Sequence, residues 1–242
     1  DWAGVSVRIV NSLFARNAAP SGAALDFTQA ANAGIAHVTI ASPTVASGSA
    51  IFVGAGVVNI SDTIIASHTI GISRTGGTVN EDYNLFRGNT TDRAGGIAAG
   101  AGSRSGPPVF VNPSRDDYHI GAASDARDTG ANAGVTADFE GDPRPHGPGY
   151  DIGYDEYVTP LCYATPDNGA TVFGSALAQA LRDALAAAAP GGTVKVAGTC
   201  AGAVVDAGEA QVGLITKTLT LMGGYTATNW SSSYPITQPT VL

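Results

Sequence analysis

Lysine, methionine and cysteine are scarce in this chain of 242 residues, which contains two lysines, one methionine and two cysteines. Charged residues make up only 13% of the sequence, and the formal net charge is −8. Because no basic surface is available to neutralise phosphates, nucleic-acid binding is not expected. There is also no apolar run of roughly 18 residues, so no membrane-spanning helix is expected.

The negative charge is concentrated in one segment. Residues 116–156 contain ten acids and two arginines, so this segment alone sums to −8 and the rest of the chain is neutral on balance. The acids are Asp116, Asp117, Asp125, Asp128, Asp138, Glu140, Asp142, Asp151, Asp155 and Glu156. No secretory signal peptide is recognisable at the first residues, which predicts a mature or internal portion of a protein, or a fragment.

Glycine is abundant, with 32 residues, and this composition favours many short strands joined by tight turns. Four segments share a pattern of valine, alternating apolar residues and a polar corner. They are VRIVNSLFA from Val7, VTIASPTVA from Val38, VNISDTIIA from Val58 and VNEDYNLFR from Val79. Their starts are 31, 20 and 21 residues apart, and an inserted loop would explain the first gap.

A recurring unit of this length predicts one coil of a parallel β-helix. A single coil cannot bury its inward side chains, whereas stacked coils align them at the strand spacing. Asn11, Ser42 and Asp62 are expected at equivalent corners. An up-and-down barrel or a sandwich is the rival, but residues 1–157 lack the Asn-Gly and Asp-Gly dipeptides typical of its hairpins. The predicted fold class is therefore all-β, a parallel β-helix.

Residues 158–242 start a second pattern. The stretch FGSALAQALRDALAAAA predicts a short capping α-helix near residues 173–189, ended by Pro190-Gly191-Gly192. One face of that helix would carry Phe173, Leu177, Leu181 and Leu185. The stretches TVKVAGTCAGAVV and LITKTLTLMGGY alternate apolar and polar residues, which predicts half-buried strands. A helix placed before such strands can cover the open edge of a β-helix.

Two stretches carry a resemblance to a known family. VFVNPSRDDYHIGAASDARDTGAN, followed by DFEGDPRPHGPGYDIGYDEY, resembles the carboxy-terminal region of secreted right-handed parallel β-helix proteins of the choice-of-anchor Q type, in the pectate-lyase-like superfamily. Residues 161–242 resemble the amino-terminal cap and first coils of the same kind of protein. The resemblance implies that residues 1–157 are the last coils and closing segment of one β-helix. Residues 158–242 would then be the cap helix and first coils of a following one.

This reversed order predicts a structural role outside the cell. The predicted partners are copies of the chain itself, stacked end to end as separate chains or tandem modules of a filament or fibre. The resemblance also leaves room for other functions, since relatives in the superfamily cleave acidic polysaccharides and many others are surface or adhesive proteins. A carbohydrate-binding or polysaccharide-cleaving β-helix, or an adhesin that binds cell-surface glycans, is therefore the alternative.

No catalytic residue is predicted. A polysaccharide lyase needs a base and a cation to neutralise a uronate, and a glycosidase needs two facing carboxylates. Asp62 and Asp82 lie near equivalent corners of successive coils, where Arg8 or Arg74 could join them. Solvated corners or turn hydrogen bonds explain these residues more simply, so the chain is not expected to be an enzyme.

Calcium is the one cofactor for which the sequence offers ligands. Asp138, Glu140 and Asp142 alternate before glycine and proline residues and could wrap a calcium ion, with Asp151 or Asp155 completing the shell. The alternative is structural, with the acids capping turns and pairing with Arg144, whose fork can bind a carboxylate such as that of Asp151. The four histidines, His37, His68, His119 and His146, lack the i, i+4 spacing of a zinc motif, so zinc is not expected.

The two cysteines, Cys162 and Cys200, fit either one disulfide or two unrelated thiols. If paired, they would close a loop of about 39 residues and stabilise the fold by roughly 3 to 4 kcal/mol. A possible cysteine pair together with the scarcity of lysine and methionine favours an extracellular location.

Overall fold

The structure is a computed structural model of the chain, and it describes residues 6–29, 32–158, 161–206, 209–236 and 239–242. The chain divides into two compact units, residues 1–157 (unit 1) and residues 158–242 (unit 2). Both units contain more strand than helix, and the described residues include a single α-helix. Within these ranges, no helix has the length and apolar character needed to cross a membrane.

Unit 1 is a parallel β-helix, which confirms the predicted fold class. Its coils contain β1 (Ser6–Ala15), β2 (Leu25–Phe27), β3 (Asn32–Val53), β4 (Val57–Arg74), β5 (Thr78–Asp82), β6 (Leu85–Arg87), β7 (Thr91–Ala94) and β8 (Arg104–Ser105). Strand β3 pairs in parallel with β1 and β2 of the preceding coil and with β4 of the next. Strand β4 pairs in parallel with β5, β6 and β7, and β6 pairs with β8. The long strands β3 and β4 each bend through corners and serve more than one face.

The strand register corrects the predicted alignment of the second coil. Val7 pairs with Ala33, Ala33 pairs with Val58, and Val58 pairs with Val79, so successive coils are offset by 26, 25 and 21 residues. The predicted start at Val38 was wrong, since Val38 lies five residues further along its coil than Ala33. Matching valine to valine misled the alignment because the stack tolerates a small buried alanine at this position.

Apolar side chains stack in rows inside the coils. Ile35 and Ile60 pair in one row, and Ile40, Ile65 and Phe86 form another. All five side chains are at most 2% exposed. Burying a side chain of this size contributes about 1.5 to 3 kcal/mol, and no coil can do so without its neighbours. The stacking therefore explains why the apolar pattern repeats along the sequence.

A column of corner residues bends the strands. Four residues at equivalent positions of successive coils have positive φ angles, namely Asn11 (46°), His37 (52°), Asp62 (49°) and Tyr83 (54°). They are equivalent because the residues directly before them pair with one another in the strand register. This left-handed backbone conformation is tolerated best, after glycine, by residues such as Asn, Asp and His. The prediction of Ser42 as the second corner was wrong. His37 occupies that position because the coil begins at Ala33.

The remainder of unit 1 closes over these coils. An antiparallel pair, β9 (Phe110–Asn112) and β10 (Asp117–Ile120), is joined by a 3₁₀ turn at Pro113–Arg115. Residues 130–157, called the closing segment below, contain isolated bridges rather than named strands. A second apolar cluster joins this region to the coils and contains Ala41, Ile64, Ala66, Leu85, Tyr118, Ile120, Ala126, Ile152 and Tyr154.

Unit 2 combines a small sheet with the helix. Its elements are β11 (Cys162–Thr165), β12 (Phe173–Ser175), α1 (Gln179–Ala187), β13 (Thr193–Gly198), β14 (Val204–Asp206), β15 (Glu209–Gln211) and β16 (Thr220–Tyr225). The main sheet has the order β12-β11-β13-β16. Strand β11 is antiparallel to β12 and β13, whereas β13 and β16 are parallel. Strands β14 and β15 form a separate antiparallel pair.

The helix is shorter than predicted. It spans Gln179–Ala187, and Phe173 lies instead in β12, where it pairs with Ala164. The position of Phe173 fits the apolar spacing of the helix, but pairing with β11 gives this aromatic residue a strand partner instead. Leu181 and Leu185 are buried on the helix, as predicted. Of the stretch predicted as the last strand, only its final part forms β16.

A disulfide joins Cys162 to Cys200. Both cysteines are fully buried in the core of unit 2, where they contact the apolar face of α1 and the sheet. This decides between the two possibilities that the sequence left open, and it is consistent with an oxidising compartment.

Candidate functional site

The corner column of the coils is the surface on which the closing segment lies. Three corner side chains form hydrogen bonds with the backbone of the closing segment. Asn11 Nδ2 donates to the carbonyl oxygen of Ala137 (2.7 Å), Asp62 Oδ1 accepts the N–H of Ala131 (2.6 Å), and His37 Nδ1 lies 3.2 Å from the carbonyl oxygen of Asp151. The polar corners are therefore explained by the backbone groups that they satisfy.

The residues considered for polysaccharide cleavage do not form a shared group. Asp62 is fully buried beneath the closing segment, whereas the residue opposite Asp82 in the register is Ser61. Arg8 donates to the carbonyl oxygen of Ala133, and Arg74 donates to that of Gly95. A polysaccharide chain cannot reach Asp62 in this arrangement. Burial of Asp62 agrees with the structural alternative for that residue.

Burial of Asp62 makes the stability of unit 1 depend on pH. Burial raises the pKa of its carboxyl from 3.8 to about 6, against the lowering effect of the hydrogen bond from Ala131. The folded state then holds the proton more tightly than the unfolded chain. The stability that the protonated Asp62 carboxyl contributes is complete below pH 3.8 and is lost as the pH rises through about 6. We expect the free energy of unfolding of Asp62→Asn to equal that of the wild type near pH 4. Near pH 7 it should be larger by about 2 to 3 kcal/mol.

Urea unfolding of both proteins at a series of pH values, followed by circular dichroism, measures this difference. Asp62→Ala is the matched control, because it removes the charge together with the acceptor for the N–H of Ala131. That variant should be less stable than Asp62→Asn at every pH. If the free energies of unfolding of the wild type and Asp62→Asn differ by the same amount at pH 4 and pH 7, ionisation of buried Asp62 does not destabilise the fold.

A buried ion pair holds the closing segment together. Arg144 Nη1 lies 2.7 Å from Glu156 Oε2, and both side chains are inaccessible to solvent. The guanidinium also donates to the carbonyl oxygens of Asp151 (3.3 Å) and Gly153 (2.9 Å). Arg144 thus has the structural surroundings that the sequence indicates, but its carboxylate partner is Glu156.

Asp151 supports the same segment in a different way. Its Oδ1 accepts the N–H of Asp128 and its Oδ2 accepts the N–H of Tyr157, both at 2.6 Å. Burial raises the pKa of this carboxyl to about 7, although the two hydrogen bonds favour its charged form. The Asp151 carboxylate therefore connects Asp128, just before the closing segment, to Tyr157 at its end, and it does not pair with the Arg144 side chain.

Most of the acids predicted to bind calcium have other partners. Asp138 Oδ1 accepts the N–H groups of Glu140, Gly141 and Asp142, each at 2.9 Å, and its Oδ2 accepts the N–H of Glu156 at 3.0 Å. Such a carboxylate caps a turn, as the structural alternative expects. Calcium at Asp138, Glu140 and Asp142 stays a prediction, and the geometry directs the Glu140 carboxylate elsewhere.

Glu140 belongs to a cluster around His119. Its Oε2 lies 3.1 Å from His119 Nε2, and Asp117 Oδ1 lies 2.5 Å from His119 Nδ1. Asp155 is also close, since one ligand atom each from His119, Glu140 and Asp155 lie within 4.8 Å of one another. In the described ranges, this is the one group of three or more His, Cys, Asp and Glu side chains with such spacing.

The electrostatics of this cluster favour a positive charge at its centre. Burial lowers the pKa of His119, but hydrogen bonds to Asp117 and Glu140 outweigh it and raise the pKa to about 11. Burial raises the pKa of Asp155 to about 7, against the opposing effect of His119. Burial also raises the pKa of Asp142, together with the neighbouring charges of Asp138 and Glu140. In this structure the imidazolium is the cation that these acids surround.

An open groove runs across the first face of the coils. It consists of two adjoining cavities of about 420 and 450 Å³ that share Asn59 and Ser61. Arg8 lines one of them, and Asn80 and Glu81 line the other. Asn80 Nδ2 donates to Asn59 Oδ1 at 2.9 Å, so equivalent side chains of successive coils form a polar ladder. Its open form and polar lining could take an extended chain.

No protein-family model, curated protein or solved structure matches this chain. The resemblance to β-helix proteins of the choice-of-anchor Q type therefore stays a prediction.

Sequence reasoning missed the role of His119. The i, i+4 spacing of a zinc motif does not apply to His119, because Glu140 and Asp155 come from a separate segment. One local signal was available, because Asp117 and His119 are two residues apart on strand β10 and so point to the same side. The contacts with Glu140 and Asp155 had no comparable signal, since they depend on the path of the closing segment.

Proposed function

We propose that this chain is an extracellular structural β-helix protein, acting as a repeating subunit or tandem module of a filament or fibre. The copies would assemble head to tail, by stacking the coils of one copy on those of the next. The observation that carries the proposal is that each unit has an edge strand that is parallel to its one strand neighbour and has half-buried or exposed apolar side chains beside it. It rests on the described residues of each unit taken separately.

In unit 1 this edge is β1. Strand β1 pairs with β3 alone among the described strands, so its other edge has no strand partner. Ile9 and Phe14 point toward the core but are only half-buried, whereas Ile35 and Ile40, their partners in the next coil, are at most 1% exposed. A further coil stacked on β1 would complete the burial of this row.

In unit 2 the corresponding edge is β16. Strand β16 pairs with β13 and is last in the order of the described sheet. Apolar side chains in and before it are exposed by 37% to 52%, namely Leu214, Ile215, Leu221 and Met222. Exposed apolar edges of this kind favour pairing with another strand unless the protein blocks them.

The strand directions suit this pairing. Strand β1 accepts its neighbour β3 in parallel, and β16 accepts its neighbour β13 in parallel. A contact between β16 of one copy and β1 of the next can thus continue the parallel arrangement on both sides. Because the two surfaces differ, the contact is heterologous and propagates unless it closes into a ring. Backbone groups of β1 and of the first part of β16 would gain hydrogen-bond partners, whereas Gly223 and Gly224 already bond to residues 233–240.

Assembly of residues 1–242 should depend on the β16 edge. We expect the wild-type protein to form linear assemblies as its concentration rises, visible by negative-stain electron microscopy and by sedimentation velocity. Leu221→Arg places a charge on the proposed contact and should raise the concentration needed for assembly by at least about tenfold. The matched control is Val172→Arg, since Val172 is 42% exposed and precedes the opposite edge strand β12.

Two results would count against head-to-tail stacking. One is a wild-type protein that stays a compact monomer at high concentration. The other is equal loss of assembly in Leu221→Arg and Val172→Arg, which would point to general surface hydrophobicity rather than to the β16 edge.

The groove along Asn59 and Asn80 supports a second candidate, a carbohydrate-binding or polysaccharide-cleaving β-helix or a cell-surface adhesin. Amide side chains in a row can hydrogen-bond to the hydroxyl groups of a glycan. Binding of uronate-rich polysaccharides, with and without calcium, tests this candidate. Saturable binding that the double variant Asn59→Ala, Asn80→Ala abolishes would rank it above the structural role.

A further inference from the structure

We propose that His119, Glu140 and Asp155 form a binding site for a divalent transition-metal ion, best suited to Zn²⁺. The site lies where strand β10 meets the closing segment. It is independent of the head-to-tail contact proposed above, because none of its residues belongs to β1 or β16.

The donor atoms already converge. His119 Nε2 and Glu140 Oε2 are 3.1 Å apart, and an oxygen of Asp155 lies within 4.8 Å of both. Ligand bonds to zinc are about 2.0 to 2.2 Å long for nitrogen and carboxylate oxygen. An ion between these three atoms therefore requires only a small inward movement of Asp155 or Glu140. One coordination position would remain for water.

Asp117 orients the imidazole for this role. Its Oδ1 lies 2.5 Å from His119 Nδ1 and also accepts the backbone N–H of His119 at 3.2 Å. Because Asp117 holds the proton on Nδ1, His119 would bind the ion through Nε2, from which the ion displaces the second proton of the imidazolium. Histidines that bind metals commonly have such a partner on the second ring nitrogen, since it determines the tautomer and the ring orientation.

Asp155 would be the most buried of the three ligands. Its residue is only 5% exposed, and its Oδ2 accepts the N–H of Ile120 at 2.7 Å, which holds the carboxylate against β10 beside His119.

The surrounding charge is strongly negative. Five carboxylates lie in or beside the cluster, from Asp117, Asp138, Glu140, Asp142 and Asp155, around the imidazole of His119. A divalent ion would neutralise more of this charge than a single imidazolium does. It would also cross-link β10 to the closing segment through three separate stretches of chain.

The donor types distinguish among metals. Calcium and magnesium prefer oxygen ligands alone, whereas an imidazole nitrogen with carboxylate oxygens suits zinc and its neighbours in the transition series. Solvent reaches the site, because the side chains of His119 and Glu140 are 26% and 21% exposed. The rings of Phe139 and Tyr154, stacked at 4.3 Å, lie beside the imidazole and shield that side from water.

Zinc titration of the chelator-treated chain of residues 1–242 tests the proposal, with isothermal calorimetry as the readout. We expect one ion per chain and a rise in the unfolding temperature on binding. Glu140→Gln and Asp155→Asn should each weaken the affinity by at least about tenfold, as loss of a metal ligand requires. Calcium at the same concentration should not compete. Glu140 lies at the solvent-exposed side, so Glu140→Gln is expected to fold even if Asp155→Asn does not.

Asp142→Asn is the matched control. It removes one negative charge from the same loop, and no hydrogen bond to its side chain is present among the described residues. We expect its zinc affinity to change less than about threefold. Absence of saturable zinc binding by the wild type would overturn the proposal. Equal weakening in Asp142→Asn and Glu140→Gln would overturn it too, because it would show attraction by general negative charge without coordination.

Discussion

Arg144→Met is expected to destabilise unit 1 by about 3 to 5 kcal/mol, the usual cost of removing one partner of a buried ion pair. Methionine fills much of the same volume, so the loss comes from charge and hydrogen bonds. The Glu156 carboxylate would stay buried without its cation, and the carbonyl oxygens of Asp151 and Gly153 would lose a donor. Glu156 would still accept the N–H groups of His146 and Asp151, which limits the loss.

Chemical unfolding followed by circular dichroism measures the change in free energy, and hydrogen exchange of the peptides that contain residues 144–156 assigns it to unit 1. Arg87→Met is the matched control, because Arg87 lies on the exposed side of β6. Its effect should stay within about 0.5 kcal/mol. The double variant Arg144→Met, Glu156→Gln should recover part of the loss, since no uncompensated charge remains. Similar effects of Arg144→Met and Arg87→Met would refute the importance of the ion pair.

Removal of the disulfide is expected to destabilise unit 2 by roughly 3 to 4 kcal/mol. Cys162 and Cys200 are separated by 38 residues, and freeing a loop of this length adds conformational entropy to the unfolded state. The double variant Cys162→Ala, Cys200→Ala also loses apolar contacts, because both sulfur atoms lie in the core against α1. The combined effect should lower the unfolding midpoint of unit 2 and leave that of unit 1 unchanged.

Tryptophan fluorescence can isolate unit 2. Trp230 is 7% exposed and packs against Tyr225 with ring centroids 6.0 Å apart, so its emission should change on unfolding. Trp2 lies outside the described residues, and Trp2→Phe in every protein removes its signal. Reductant should shift the unfolding transition of the protein with Cys162 and Cys200 toward that of the double variant. It should leave the transition of the double variant unchanged. A difference below about 1 kcal/mol between the two proteins would contradict the role of the disulfide.

The predicted and observed elements agree where the signal was local and repeated. The coils from Val58 and Val79 have the predicted starts because each begins with a valine in an apolar row and the offset is regular. The coil from Ala33 was misaligned because its inward residue is small and the coil is longer than the next one. Phe173 was assigned to the helix because its position fits the apolar spacing of the helix. The same position also fits a strand, and only pairing with β11 distinguishes the two.

The candidate sites divide in the same way. Acidic residues between 116 and 156 mark the segment that closes the coils, and their abundance is readable from composition. Their individual roles are not, because nothing in the local sequence distinguishes Asp138, which caps a turn, from Glu140, which meets His119. Pairing of Arg144 with Glu156 rather than with Asp151 depends on how the segment folds back on itself.

The sequence by itself determined that this chain is a parallel β-helix followed by a helix-bearing second unit. Valine and isoleucine recur at the length of one coil, and a lone coil cannot bury its own interior, so the repeat favours stacked coils. Only the tertiary structure decided which polar side chains meet. Those contacts join residues that lie far apart along the chain, and each depends on the coil register and on the path of residues 130–157. The convergence of His119, Glu140 and Asp155, and the polar column of Asn11, His37 and Asp62, are consequences of that packing.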